Sequence, residues 1–126
     1  MLLDTHALLW WLAGTSALTR RARTTIETED VEVFVSAVSA WEIATKFRLG
    51  KLPEAERAAE DVAGIVAGEG FRELALSISH AQHAGALVGS HRDPFDRMLI
   101  AQALLNDLTL ISNEHVFDAY GVKRIW

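Results

Sequence analysis

Cysteine is absent from the 126-residue chain, which excludes disulfides and thiolate metal sites. No apolar run approaches the ~20 residues that a helix needs to cross a bilayer. The opening Met1-Leu2-Leu3-Asp4 lacks the basic start of a signal peptide, so a cytoplasmic protein with no membrane attachment is expected. A basic excess is also missing, because the formal net charge is −5. A module that holds nucleic acid mainly by neutralising phosphate is normally basic, so a simple DNA-binding domain is disfavoured. A nuclease whose acids hold divalent cations is not excluded, since the ions carry positive charge into the site. No internal repeat, low-complexity tract or linker interrupts the chain.

Half of the residues are apolar, slightly rich for a soluble protein of this size. The length suits a single domain spanning residues 1–126 with one proper core. The apolar surplus, with Trp10, Trp11 and the alanine-rich stretch from Ala55 to Ala67, points to a protein interface.

Met1 to Asp4 reads as a short first strand ending in an acid. Ala7, Leu8, Trp11 and Leu12 recur at helical spacing, and Gly14 closes that helix. A second helix is expected from Thr19 to about Glu29, and a second strand over Val31 to Ser36. Ala37 to Leu49 is helical in pattern, with Gly50 at its end. Pro53 suits the first turn of a further helix ending near Gly68 to Gly70. Arg72 to Leu76 reads as a third strand, Ser79 to Val88 as a helix, and Asp93 to Asn106 as the clearest helix of all. Leu108 to Ser112 is a fourth strand and Val122 to Trp126 a candidate fifth. Alternating strands and helices imply a parallel sheet covered on both faces, whose ligands bind beyond the carboxyl ends of the strands.

Acids recur at those ends. Asp4 closes the first strand and is equally well placed to cap the next helix. Ser39-Ala40-Trp41-Glu42 fits a capping box; a helix starting at Ala37 would instead put Glu42 on its second turn, free for other work. In Asp93-Pro94-Phe95-Asp96, Asp93 is a natural N-cap, Pro94 a natural first residue, and Asp96 lies in the first turn. Glu114 follows the fourth strand in Ser112-Asn113-Glu114, which by itself is only a polar turn. In combination, several hard oxygen ligands in one pocket repel each other unless a cation lies among them. Mg²⁺ is the natural ion, with Mn²⁺ as substitute, and such a site can activate water and stabilise an in-line phosphoryl transition state.

Across essentially the whole chain these segments resemble the PIN-domain family. Leu2-Leu3-Asp4-Thr5-His6 looks like its first acidic motif, and Trp10-Trp11 is similar to its toxin branch. Ser39 to Lys46 resembles the second motif, with Glu42 as its acid. Asp93-Pro94-Phe95-Asp96-Arg97-Met98-Leu99-Ile100-Ala101-Gln102-Ala103 is the most specific match and puts Asp96 on the third acid. Leu110 to Glu114, followed by Phe117 and Tyr120, resembles the last motif, with Glu where Asp is more usual. The resemblance implies a three-layer α/β/α sandwich with a mainly parallel sheet of about five strands. It also implies Mg²⁺-dependent cleavage of RNA by the toxin of a VapBC-like toxin–antitoxin pair, and an antitoxin that blocks the site. Asp4, Glu42, Asp96 and Glu114 are then the catalytic and metal-binding set, with Asp93 a possible fifth ligand. A homodimer is expected as well.

Thr5, Lys46, Arg97 and Ser112 are candidates for contact with RNA, against the plainer readings of a Lys46–Glu42 pair and a solvated Arg97. His80 and His83, spaced i, i+3 on a helix, could suit a metal, and His6 could approach the site, but these and His91 and His115 read better as ordinary histidines. A non-catalytic binding module on the same scaffold is the main alternative. A Mg²⁺-binding phosphoacceptor receiver domain is a weaker one, since Asp4 stands alone and Leu74-Ala75-Leu76-Ser77 carries no acid. A haloacid-dehalogenase-like phosphatase would want an acid where His6 stands.

Overall fold

The computed structural model describes residues 1–126. Strand β1 is Leu2–Leu3, followed by α1 (Thr5–Ala13) and α2 (Arg20–Glu27). Then come β2 (Phe34–Ser36), α3 (Ala37–Arg48), a 3₁₀ turn at Pro53–Ala55, α4 (Glu56–Glu60), α5 (Val62–Gly68) and β3 (Arg72–Leu74). The chain closes with α6 (Ile78–Ala86), α7 (Pro94–Leu105), β4 (Leu110–Ile111), a 3₁₀ helix at His115–Tyr120 and β5 (Arg124–Ile125). The five strands pair in parallel in the order β3-β2-β1-β4-β5.

Strand alternation divides the core into two layers. Leu3, Val35 and Ile111 point into one, where they meet Ala7 and Leu8 of α1, Ile26 of α2, Ala58 of α4 and Val66 of α5. Their neighbours Leu2 and Leu110 point to the opposite face, against Leu99, Ile100 and Ala103 of α7 and against Phe117. This is the expected three-layer α/β/α sandwich with a five-stranded parallel sheet. No helix is long and apolar enough to cross a membrane.

Several elements differ from the pattern in the sequence. The alanine-rich helix after Pro53 is broken at Asp61, whose backbone leaves the helical region (φ −156°, ψ 76°). Its carboxylate accepts from the Gly64 amide at 2.9 Å, so a new helix starts where one continuous helix was expected. The second to fifth strands are shorter than expected, because only the residues facing a neighbour enter the parallel ladder. Ser36, rather than Ser39, caps α3 by accepting from the Val38 amide at 3.0 Å, which leaves Glu42 on the second turn.

Trp10 and Trp11 are half-buried, each with partners inside the chain. Trp11 packs on Phe71 at 5.9 Å and donates its indole N–H to Glu69 at 2.9 Å. Trp10 packs against Trp126 at 5.6 Å. His80 completes a capping box with Ser77: its Nδ1 accepts the Ser77 amide at 3.1 Å, so Nε2 carries the proton and donates to Asn106 Oδ1 at 2.7 Å.

Gln102 on α7 is fully buried and joins two strand ends. Its Oε1 accepts from the Ser36 hydroxyl at 2.5 Å, and its Nε2 donates to the Ala75 carbonyl at 3.3 Å. Gln102→Met keeps the volume and removes both bonds, so it should cost about 1–3 kcal/mol, the usual penalty for stranded buried polar groups. Urea unfolding measures this; an unchanged midpoint would mean that the bridge contributes no net stability.

Candidate metal centre

The chain reverses its direction of growth across the sheet at β1: β2 and β3 extend to one side, β4 and β5 to the other. Parallel sheets open a crevice beyond the carboxyl ends of their strands at such a reversal. Asp4 follows β1 and Glu114 follows β4, so they flank that crevice. The N-termini of α3 and α7 bring in the remaining acids. The result is a cavity of about 230 Å³ lined by Asp4, Thr5, His6, Glu42, Lys46, His91, Asp93, Asp96, Leu99 and Glu114, with Leu99 its single apolar residue.

Each acid reaches the cavity through its local role. Asp4 caps α1, accepting from the Ala7 amide at 2.8 Å. Asp93 caps α7, accepting from the Asp96 amide at 3.0 Å. Both lie at the positive ends of helices. Asp96, in the first turn of α7, receives the His91 imidazole on Oδ2 at 2.7 Å. Glu42 is buried and has partners on both oxygens: the Thr5 hydroxyl at 2.5 Å on Oε1 and the Lys46 ammonium on Oε2. A carboxylate only accepts, so the single Thr5 proton goes to Glu42, and Ser39 Oγ, 3.0 Å away, donates to Thr5.

The charges are strained by their surroundings. Burial pushes the Asp4 carboxyl above its ordinary pKa, helped by Glu114, while the Ser112 hydroxyl and the Ala7 amide pull the other way. Burial likewise raises Asp96 to about 6; the His91 hydrogen bond opposes this, and Asp93 and Glu114 add to it. Burial works against the Lys46 charge, but the hydrogen bond to Glu42 and the negative field of Glu42, Asp93 and Asp96 outweigh it and raise its pKa.

These residues fit a hard divalent cation. The donors are carboxylate oxygens in a polar cleft, and two of them carry charge against an unfavourable environment. No three of the acidic or histidine side chains stand close enough together to hold an ion by themselves, so water would have to complete any coordination. An open arrangement of this kind suits Mg²⁺, which keeps several of its waters. Glu42 has the least need of the ion, because Lys46 already serves as its counter-charge.

The structure therefore brings together Asp4, Glu42, Asp93, Asp96 and Glu114, with Thr5 and Lys46 on the same wall. Two candidates for substrate contact lie elsewhere. Ser112 is wholly buried and accepts from the Glu114 amide at 3.0 Å, so it shapes the acidic turn instead of meeting RNA. Arg97 is neither solvated nor in the cavity: it donates to the carbonyls of Ala84, His91 and Leu87 at 3.0, 2.9 and 2.5 Å. His6 also lines the cleft, and His91, read from the sequence as ordinary, is the missed residue that bonds one of the acids. Its loop position carries no periodic signal, and only its place before Asp93 and Asp96 hinted at the site.

An α/β/α sandwich with an acidic cleft at the reversal of its parallel sheet defines the architectural class. Within that class the chain belongs to the PIN-domain family, whose PIN domain matches residues 1–123. This sets aside the receiver and phosphatase readings. No curated protein matches the sequence. Among solved structures, the fold is similar to a toxin–antitoxin complex from Klebsiella pneumoniae, at 19% identity and a TM-score of 0.69, covering 99% of this chain and 95% of that one. It is also similar to VapBC2 from Rickettsia felis bound to a DNA fragment from their promoter, at 12% identity and a TM-score of 0.67, with 98% and 96% covered. FitAcB from Neisseria gonorrhoeae matches at 20% identity and a TM-score of 0.63, with 99% and 96% covered.

The raised Asp96 pKa has a defined effect on stability. The folded protein keeps a proton at Asp96 up to about 6, whereas the unfolded chain releases it near 3.8. The folded state binds more protons in that window, so the Asp96 contribution is present below it and is lost as pH rises through it. Chelator-treated protein should lose stability from pH 3.8 towards 6 more steeply than Asp96→Asn. Thermal melts across that range measure the difference, and parallel profiles would contradict it.

Proposed function

We propose that the chain is a Mg²⁺-dependent endoribonuclease and the toxin of a VapBC-like toxin–antitoxin pair. The observation that carries this reading is the convergence of Asp4, Asp93, Asp96, Glu114 and Glu42 from separate elements on one polar cleft. Membership of the PIN-domain family supports nuclease chemistry. Asp4, Asp96 and Glu114 hold the ion, Asp93 stands beside them, and Glu42 acts mainly through Lys46 and Thr5. Mg²⁺ bound there would activate a water and stabilise charge on the phosphate. Lys46 presents its ammonium to a phosphate oxygen, Thr5 fixes the Glu42 carboxylate, and Ser112 orients Asp4.

Purified, antitoxin-free protein should cleave total cellular RNA or tRNA with Mg²⁺ or Mn²⁺, and EDTA should stop it. Asp96→Asn should stay folded and lose nearly all activity, because an amide is a poor ligand for a hard cation. Asp93→Asn should keep most activity, since Asn caps a helix about as well as Asp. A folded, metal-supplied protein that leaves all of these RNAs intact would favour the non-catalytic binding module.

The toxin role is supported by the likeness to a solved toxin–antitoxin complex and to VapBC2. An apolar groove of about 870 Å³ runs between the end of α1 and the α4–α5 pair, past Leu9, Trp10, Leu12, Ala58 and Ile65. His6 lines both this groove and the acidic cleft, so a segment lying in the groove reaches the site. We assign the groove to the antitoxin. The homodimer uses the open face of α3, where Ala37, Ala44 and the 53% exposed Trp41 stand in a row. Expression of this chain alone should arrest growth of its native host, and co-expression of the neighbouring antitoxin gene should restore it. Harmless expression of soluble, folded protein would refute the toxin assignment.

A further inference from the structure

Resting on the nuclease reading, we propose that Arg97 is a positioning residue for the metal site. It fixes the loop from Leu87 to His91 so that the His91 imidazole holds one oxygen of Asp96 and leaves the other for the cation.

Arg97 follows Asp96 on α7, but its guanidinium is directed away from the cleft. Nε donates to the carbonyl of Ala84, in the last turn of α6, at 3.0 Å. Nη2 takes the carbonyl of Leu87, the C-cap of α6, at 2.5 Å. Nη1 takes the carbonyl of His91 itself at 2.9 Å. Carbonyls at a helix C-terminus have no partner within the helix, and a cation is favoured there. The rigid fork of an arginine can tie two of them to the loop that follows; the single ammonium of a lysine cannot hold all three in fixed geometry.

The loop is fastened from the other side as well. The Tyr120 hydroxyl accepts the His91 amide at 3.2 Å. Gly89, at φ +148°, lies so near that a Cβ there would be 2.4 Å from the Tyr120 oxygen. The His91 backbone is thus held by Arg97 at its carbonyl and by Tyr120 at its amide. Its side chain then reaches Asp96 Oδ2 at 2.7 Å. An ionised carboxylate only accepts, so Nε2 is the donor. Carboxylates that bind metals are commonly oriented by such an outer hydrogen bond, and its loss typically weakens metal affinity about 10–100-fold.

Calorimetric titration of the antitoxin-free full chain with Mn²⁺ and with Mg²⁺ tests this. Arg97→Lys and His91→Ala should each weaken binding roughly 10–100-fold. His91→Gln, which keeps a donor at the end of its side chain, should retain most of the affinity. The double variant should bind no worse than His91→Ala, because both changes remove the same contact. Tyr120→Phe removes the second tether without disturbing α7 and should weaken binding in the same direction, which keeps the test open if Arg97→Lys does not fold. A purely structural Arg97 would lower the melting temperature and leave affinity unchanged; that result, or multiplying losses in the double variant, overturns the inference alone. Wild-type protein that binds neither ion overturns the nuclease reading and this inference with it.

Discussion

Carboxylates crowded into a poorly hydrated cleft repel one another, and the architecture around the carboxyl edge of the sheet answers that repulsion. Burial raises the pKa values of Asp4 and Asp96, and Glu114 acts on both as a like charge. Such a cluster persists only where fixed dipoles, hydrogen bonds and cations offset it. The helix N-termini beneath Asp4 and Asp93, the Lys46 ammonium, the Thr5 hydroxyl and the His91 imidazole each offset part of it. A divalent cation would offset the remainder.

The same geometry explains why capping and chemistry are not competing roles here. A helix that starts directly after a parallel strand points its N-terminus at the crevice beyond the sheet. A carboxylate placed to cap that helix is therefore already at the edge of the ligand site. Asp4 follows β1 in this way, and Asp93 and Asp96 begin the helix that covers the opposite layer. Glu42 is the exception: it lies a turn further in, with both of its oxygens partnered inside the chain.

Charges at the rim of the cleft divide into those that face it and those that support it. Lys46 faces it, four residues after Glu42 on the same helix side, as the spacing in the sequence implies. Arg97 looks equivalent in the sequence, one residue after an acid at the start of a helix. It turns the other way because three carbonyls at the end of α6 and in the following loop lack partners of their own. Ser112 is similar: its hydroxyl is drawn under the turn that carries Glu114. Each side chain goes to a nearby unsatisfied group: for Ser112 this is the Glu114 amide in its own turn, and for Arg97 it is three carbonyls that only the packing of α6 and its loop against α7 brings within reach.

The sequence by itself determined whatever depends on neighbours within a few residues. Apolar periodicity placed α1, α3 and α7, and the Asp93-Pro94 pair marked the start of α7, because helical faces and caps are local properties. Alternation of strands and helices implied the parallel sandwich, and the quoted motifs singled out acids that line one cleft. The tertiary structure decided what depends on long-range closure. It set the sheet order with β1 at the reversal, and it broke the alanine-rich stretch at Asp61, where a cap outweighed propensity. It also brought His91 to Asp96 through a loop whose course is fixed by Arg97 and Tyr120. No periodicity encodes such a loop, because its path is the sum of contacts made only after the helices have packed.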